Sequence, residues 1–349
     1  MRTIRLALAQ INLTVGDIAG NTARILDQLD QARARGAELV LFPEMAISGY
    51  PPEDLLLKPD FIAANARALQ DIQAATKGLA AVVGYPCADD YDLYNAAAIL
   101  QDGEMVGSYR KHYLPNYGVF DENRYFGAGN SSPVFDFAGD RVGVSICEDI
   151  WYAGGPPQWQ ALHGAELLVN LSASPYFLGK GDERERMIAT RAVDNVAIVA
   201  YCNLVGGQDE LVFDGRSLVY GPDGALLARG PVFEEALILV DVDLDDVFRR
   251  RLHDPRSRQH RDLVGRLTEA GERIPRISGR SLHQPSGPEP RSLAPAIAPP
   301  PDRLGEIYRA LLVGTRDYVR KNGFETVLLG SSGGSDTALT AAIATDALG

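Results

Sequence analysis

Three side chains suited to amide chemistry stand at the ends of three apolar runs. Cys147 closes "RVGVSIC", Glu44 closes "LVLFPE" and Lys111 closes "GSYRK". Loops follow at once: "MAISGYPPED" after Glu44 and "HYLPNYGVFDENRYF" after Lys111. In α/β sheets, strand ends that open into loops are where sites form. A thiol, a carboxylate and an ammonium in equivalent positions make a coherent set. The glutamate can take the thiol proton as general base. The lysine can offset the charge of Glu148 and Asp149 and stabilise an oxyanion. The backbone N–H of Glu148, just past the thiol, is a second oxyanion donor. The sulfur would attack a carbonyl and form a thioester, which water then hydrolyses.

The same residues admit a plain structural reading. Carboxylates beside a thiol raise its pKa and suppress the thiolate. A lone cysteine at a strand end also serves as a small buried hydrophobe. Glu44 and Lys111, taken singly, read as solvated charges. Cys202 in "AIVAYCN" reads as core, and Cys87 after "VVGYP" as structural. On residue types alone, Cys147 is either a nucleophile or a bystander.

The elements that must position these groups alternate along the chain. "IRLALAQIN" (Ile4 to Asn12) and "AELVLFPE" read as strands. Between them "NTARILDQLDQARARG" reads as a helix, with Asn21 as N-cap and Gly36 as C-cap. A second helix covers Asp60 to Gly78. "LAAVVGYP", "NAAAIL", "RVGVSIC", "AELLVNLSAS" and "NVAIVAYCN" are further strands. Asp182 and Glu185 predict a capping box for a helix that ends at Asn195. "SLVYGPDGALLARG" predicts a hairpin on Pro222-Asp223-Gly224, and "EALILVDVDL" closes the series. Strands apolar on both faces fit a layered α/β domain covered on each side.

That domain is expected to span residues 1–246. A basic and then proline-rich linker follows over 247–301, its proline-rich part, 275–301, extended and poorly ordered on its own. The last segment, 302–349, reads as a helix, then a strand in "ETVLLG", a glycine loop and a second helix. One strand and two helices cannot bury a sheet on both faces, so it reads as the opening of a further domain.

With 349 residues, 46% of them hydrophobic, the chain can build ordinary cores without disulfide staples. Its three cysteines form no zinc-spaced cluster and suit a reducing, cytoplasmic setting. The N-terminus lacks a signal-peptide pattern, and no apolar run approaches the roughly 20 residues of a membrane span. A net charge of −12 argues against nucleic acid as a partner. The local exception, "FRRRLHDPRSRQHR", reads as a solvated basic segment or one that meets an acidic surface.

Four stretches carry a resemblance. "LVLFPEMAISGYPPEDLLL", "YRKHYLPNYGVFDENRYF", "GVSICEDIW" and "LVNLSASPYFLGKGDERERM" resemble the nitrilase/CN-hydrolase superfamily. More narrowly they resemble the glutaminase domain of bacterial glutamine-dependent NAD synthetases, over about residues 3–246. "GSSGGSDTAL" resembles the ATP loop that opens the synthetase domain of the same enzymes. The resemblance implies an α-β-β-α sandwich, then a linker and an incomplete doubly wound nucleotide-binding segment. It implies Glu44 as general base, Lys111 as catalytic ammonium, Cys147 as nucleophile and Glu122 as the group orienting Lys111 and substrate. It assigns Tyr117, Ser174 and Lys180 to the glutamine, whose α-ammonium and α-carboxylate need acceptors and a cation.

The implied reaction needs no cofactor for hydrolysis of L-glutamine to glutamate and ammonia. In the full-length family, ATP and Mg²⁺ serve the amidation of nicotinic acid adenine dinucleotide. The loop positions implied for ATP are Gly330, Ser332, Gly333, Gly334, Ser335, Asp336 and Thr337. Two depart from the family pattern: Ser335 where it is apolar, and Thr337 where it has serine. Read alone, that loop is an ordinary strand-to-helix turn. The chain as it stands is expected to lack the synthetase activity and to form a homo-oligomer. The competing readings are a free-standing amidase on another small amide, an ATP-dependent amide ligase and a non-catalytic, oligomer-forming remnant.

Overall fold

A computed structural model describes residues 2–269, 275–282, 293–294 and 296–349. Two sheets face each other. The first has six strands in the order β14-β1-β2-β3-β4-β5: Ala236–Asp243, Thr3–Gln10, Leu39–Leu41, Ala80–Ala88, Leu93–Gln101 and Glu104–Arg110. The second has seven, β13-β12-β9-β8-β7-β6-β15: Leu226–Arg229, Leu218–Tyr220, Ile198–Asn203, Leu167–Ser172, Asp140–Ile146, Val134–Phe137 and Arg276–Gly279. A hairpin of β10 (Val205–Gln208) and β11 (Leu211–Asp214) stands apart.

The period of two along each strand divides its side chains between two cores. Ile4, Leu6 and Leu8 of β1 point between the sheets and meet Val142, Val144 and Ile146 of β7. Ala7 and Ala9 point the other way, onto Ile25 and Leu29 of α1 (Ile18–Ala34) and Leu69 and Ile72 of α2 (Pro59–Ala74). On the far side, Leu168, Val199 and Tyr201 pack against Ile188 and Ala192 of α4 (Lys180–Asn195), beside α3 (Pro156–Leu162). The result is the expected α-β-β-α sandwich. The hairpin on Pro222-Asp223-Gly224 forms as the sequence predicts, with Gly224 at φ 78°.

Several local expectations change. Asp17, not Asn21, caps α1 and accepts from the Gly20 N–H at 2.9 Å. Asn21 is buried one turn in, donating to the Thr14 and Ile47 carbonyls, so it ties the loop over the helix start. Helix α4 starts at Lys180, with no side-chain cap. Asp182 and Glu185 instead bind Arg216 at 2.8 and 2.7 Å, because a buried guanidinium outcompetes a cap.

The region expected to be a featureless linker holds structure. Helix α5 (Leu244–His253), capped by Asp243, runs across position 246 and buries Leu244 and Val247. Helix α6 (Pro255–Glu269) follows, and β15 pairs in parallel with β6. Residues 283–292 and 295 of the proline-rich stretch lie outside the described residues. Beyond it come α7 (Arg303–Lys321) and α8 (Ser335–Leu348). The strand expected at "ETVLLG" is not formed: among the described residues no neighbouring strand offers it a ladder.

Candidate active site

Glu44 lies just beyond the end of β2, and β3 passes very close to it. A Cβ on Gly84 would come within 2.5 Å of the Met45 nitrogen and 2.8 Å of the Glu44 Cα, so only glycine fits there. Both oxygens of the fully buried Glu44 carboxylate are engaged. Oε1 accepts from Asn95 Nδ2 and from Lys111 Nζ, both at 2.7 Å, and Oε2 accepts from the Ala173 N–H at 2.9 Å. Lys111 follows β5 and is also buried. Its Nζ donates a second bond, at 2.8 Å, to Glu122 Oε1, which also accepts from the Tyr50 hydroxyl at 2.9 Å. Glu122 Oε2 is buried without a partner. An ammonium has three donors, so one N–H of Lys111 is left for another acceptor.

Burial by itself pulls the Lys111 ammonium down. Glu122 and then Glu44 more than reverse this, and it stays charged well above the ordinary lysine value. Burial pushes the Glu122 carboxyl up to about 7, although Lys111 opposes the rise. These charges also reach the Cys147 thiol. Burial first, then Glu44, raise it well above the ordinary value, and Lys111 pulls it back. The sulfur is held as a protonated thiol until a base takes its proton.

Cys147 leaves β7 at φ 42°, in the left-handed region, and starts a single 3₁₀ turn to Ile150. For a residue with a Cβ this conformation costs on the order of 1–3 kcal/mol and clusters at functional sites. The two carboxylates that follow are both accounted for, and Lys111 contributes only a charge interaction with Asp149. Asp149 accepts from the Tyr109 hydroxyl at 2.7 Å and from the backbone of Ile146, His112 and Tyr113. It therefore pins the turn to the start of the loop after Lys111. Glu148 accepts the exposed Tyr117 hydroxyl on both oxygens, at 3.0 and 2.9 Å.

Of the other expected residues, Ser174 is buried, with Arg184 Nη2 donating to its hydroxyl at 3.4 Å. Arg184 is held in turn by Asp214 at 3.0 Å, both fully buried. Lys180 Nζ lies 3.8 Å from the centre of the Trp151 ring and 3.6 Å from Glu183. It lies close enough to Cys147 to feel a charge formed on the sulfur, as do Tyr117 and Arg184. Residues 330–336 lie apart and exposed, with Thr337 half-buried: Gly333 has φ 80° and α8 begins at Ser335. Sequence reasoning missed Asn95, Tyr50, Asp149 and the Ala173 N–H. A polar residue heading the "NAAAIL" run was the one visible sign of Asn95.

A carboxylate, an ammonium and a thiol at the mouths of facing sheets match a known pattern. Residues 5–251 match the carbon-nitrogen hydrolase family. The chain belongs to that family. Residues 307–349 match the NAD synthase family. Over its whole length the chain is 45% identical to a glutamine-dependent NAD(+) synthetase of Thermotoga maritima, and covers 59% of it. The glutamine-dependent NAD+ synthetase of Acinetobacter baumannii, solved with adenosine diphosphate, superposes with TM-score 0.80 at 34% identity, covering 100% of this chain and 58% of that one. A variant amidase from Nesterenkonia sp. AN1 aligns over 74% of this chain and 96% of its own, with TM-score 0.63 and 29% identity. That structure is described as showing covalent addition of the acetamide moiety of fluoroacetamide at the active-site cysteine. The chain thus spans less than two thirds of the synthetases it matches.

Proposed function

We propose that the protein hydrolyses L-glutamine to glutamate and ammonia through a thioester on Cys147. The observation that carries this reading is the buried Glu44–Lys111–Glu122 cluster acting on a protonated thiol. Glu44 takes the thiol proton as the sulfur attacks the side-chain amide carbon. Negative charge on the amide oxygen is met by the remaining Lys111 N–H and the Glu148 backbone N–H. Glu44 returns the proton to the leaving nitrogen, and ammonia departs. Water, deprotonated by Glu44, then attacks the thioester and releases glutamate with the thiol restored. Glu122 orients Lys111. Tyr117, Ser174 and Lys180 hold the amino-acid end of the substrate.

The match of the whole chain to glutamine-dependent NAD(+) synthetases supports glutamine as the substrate. It also supports a place for residues 302–349 in ATP-dependent amidation of nicotinic acid adenine dinucleotide. In that half-reaction ATP and Mg²⁺ are the family's requirements, and ATP would lie against Gly330 and Ser332–Thr337. Among the described residues no three His, Cys, Asp or Glu side chains converge on a metal position. Three free thiols and no described helix long and apolar enough to cross a membrane fit a cytoplasmic enzyme. Homo-oligomerisation is checked by sedimentation.

The test is mass spectrometry of the protein after mixing with L-glutamine or a glutamine-mimicking electrophile. A glutamyl adduct on Cys147, with ammonia release that disappears in Cys147→Ala, is expected. Ammonia release that survives this substitution sinks the proposal. Acetamide turned over as well as glutamine moves the reading to a general amidase.

A further inference from the structure

At the other end of β7 from Cys147 lies a cavity of about 480 Å³ ringed by arginines. Arg2, Arg141, Arg251 and Arg276 line it, from four separate elements or their flanks. The carboxylate in its wall, Glu166, is already taken by Arg2 at 2.9 and 3.0 Å, and Asp245 also holds Arg2. The other three guanidiniums have no carboxylate partner among the described residues. Among the described residues Arg251 donates only to backbone carbonyls, of Val196, Gly164, Ala165 and Asn195. Burial, with Arg141 nearby adding to it, brings Arg251 down to about 10 against the pull of Glu166. Arg276 donates to the His163 carbonyl at 3.2 Å.

Arg141 Nε is buried with no hydrogen-bond partner among the described residues. It lies against Gly164, where a Cβ would fall 2.4 Å from Arg141 Nη1. Helix termini attract arginines, and the turns after α3 and α4 explain the carbonyl contacts of Arg251 and Arg276. They do not explain Arg141. An uncompensated positive cluster in a chain of net charge −12 is where an anion is most strongly drawn. Exposed Phe248 and Leu252 give the same cavity an apolar wall, and its volume lies in the range of small-molecule sites.

We propose that this cavity binds a small phosphate-bearing ligand, its phosphate on Arg141, Arg251 and Arg276 and any organic part on Phe248 and Leu252. Guanidiniums meet phosphate oxygens in paired, charge-assisted bonds, which a single carboxylate uses less fully. The site is separate from the Cys147 centre and does not depend on the reaction assigned there.

The test is calorimetric titration of the full chain with inorganic phosphate, inorganic pyrophosphate and AMP. Pyrophosphate is expected to bind with sub-millimolar affinity that weakens with added salt. Arg141→Gln should weaken it at least tenfold while ammonia release from glutamine stays unchanged. If Arg141→Gln does not fold, Arg276→Gln carries the same expectation. AMP binding tighter than phosphate and reduced in Phe248→Ser identifies an organic phosphate as the source; equal affinities identify the inorganic ion. Absence of pyrophosphate binding at 10 mM, or binding undiminished in both arginine variants, overturns the proposal. So does a change of sedimentation in Arg141→Gln without ligand binding, which assigns the cavity to a contact between copies.

Discussion

The Cys147 centre and the glycine loop at 330–337 look alike in the sequence: small or polar residues where an apolar run gives way to a loop. In the structure they differ completely. Glu44 and Lys111 are buried, and each makes bonds that a second layer (Asn95, Ala173, Glu122, Tyr50) completes. The glycine loop is exposed, its preceding run forms no strand, and its helix has no side-chain cap. The elements around the Cys147 centre over-determine its geometry. The difference lies in what packs around each motif, since both carry residues of suitable type.

The largest expected effect tests the buried end of this comparison. Cys147→Ala should lower ammonia release from glutamine by at least about a thousandfold, measured by coupled assay, with little change in stability. Lys111→Met comes next. It leaves Glu44 and Glu122 facing each other without a cation, which costs on the order of 3–5 kcal/mol. Urea unfolding should show that loss, and activity should fall with it. Gly84→Ala is a backbone version of the same test. The added methyl drives β3 off Glu44, for a loss of about 1–3 kcal/mol in unfolding and a drop in kcat with no functional group removed.

A smaller effect is the pH profile. Glu122 stands near 7, so it is a carboxylate above that pH and a carboxylic acid below it. Protonation removes its charge from Lys111, so glutamine hydrolysis should decline as pH falls through about 7. Glu122→Gln should be slower at pH 8 and lack that limb. The smallest effect belongs to the exposed loop. Thr337→Ala should change stability by less than about 0.5 kcal/mol and leave ammonia release unchanged. A large change there would mean the two regions are coupled and the contrast is false.

Much of the site was legible because each group closes a recognisable apolar run. Glu44, Lys111 and Cys147 could be set side by side before any fold was known. Their supporting bonds could not. Asp149 looked like a second negative charge beside the thiol, yet its oxygens clamp the turn to residues 112 and 113. The caps failed for a related reason. Asn21 and Asp182 have the right type for a helix start, but long-range partners at Ile47 and Arg216 claimed them.

The sequence by itself determined the period-two strands, the helices between them and the residue types able to break an amide. These depend on neighbours within a few positions. Only the tertiary structure decided that Cys147 stays protonated, that Lys111 stays charged and that Glu122 titrates near neutrality. Those states depend on desolvation and on charges from strands far apart in the chain, which exist only once the two sheets close over them.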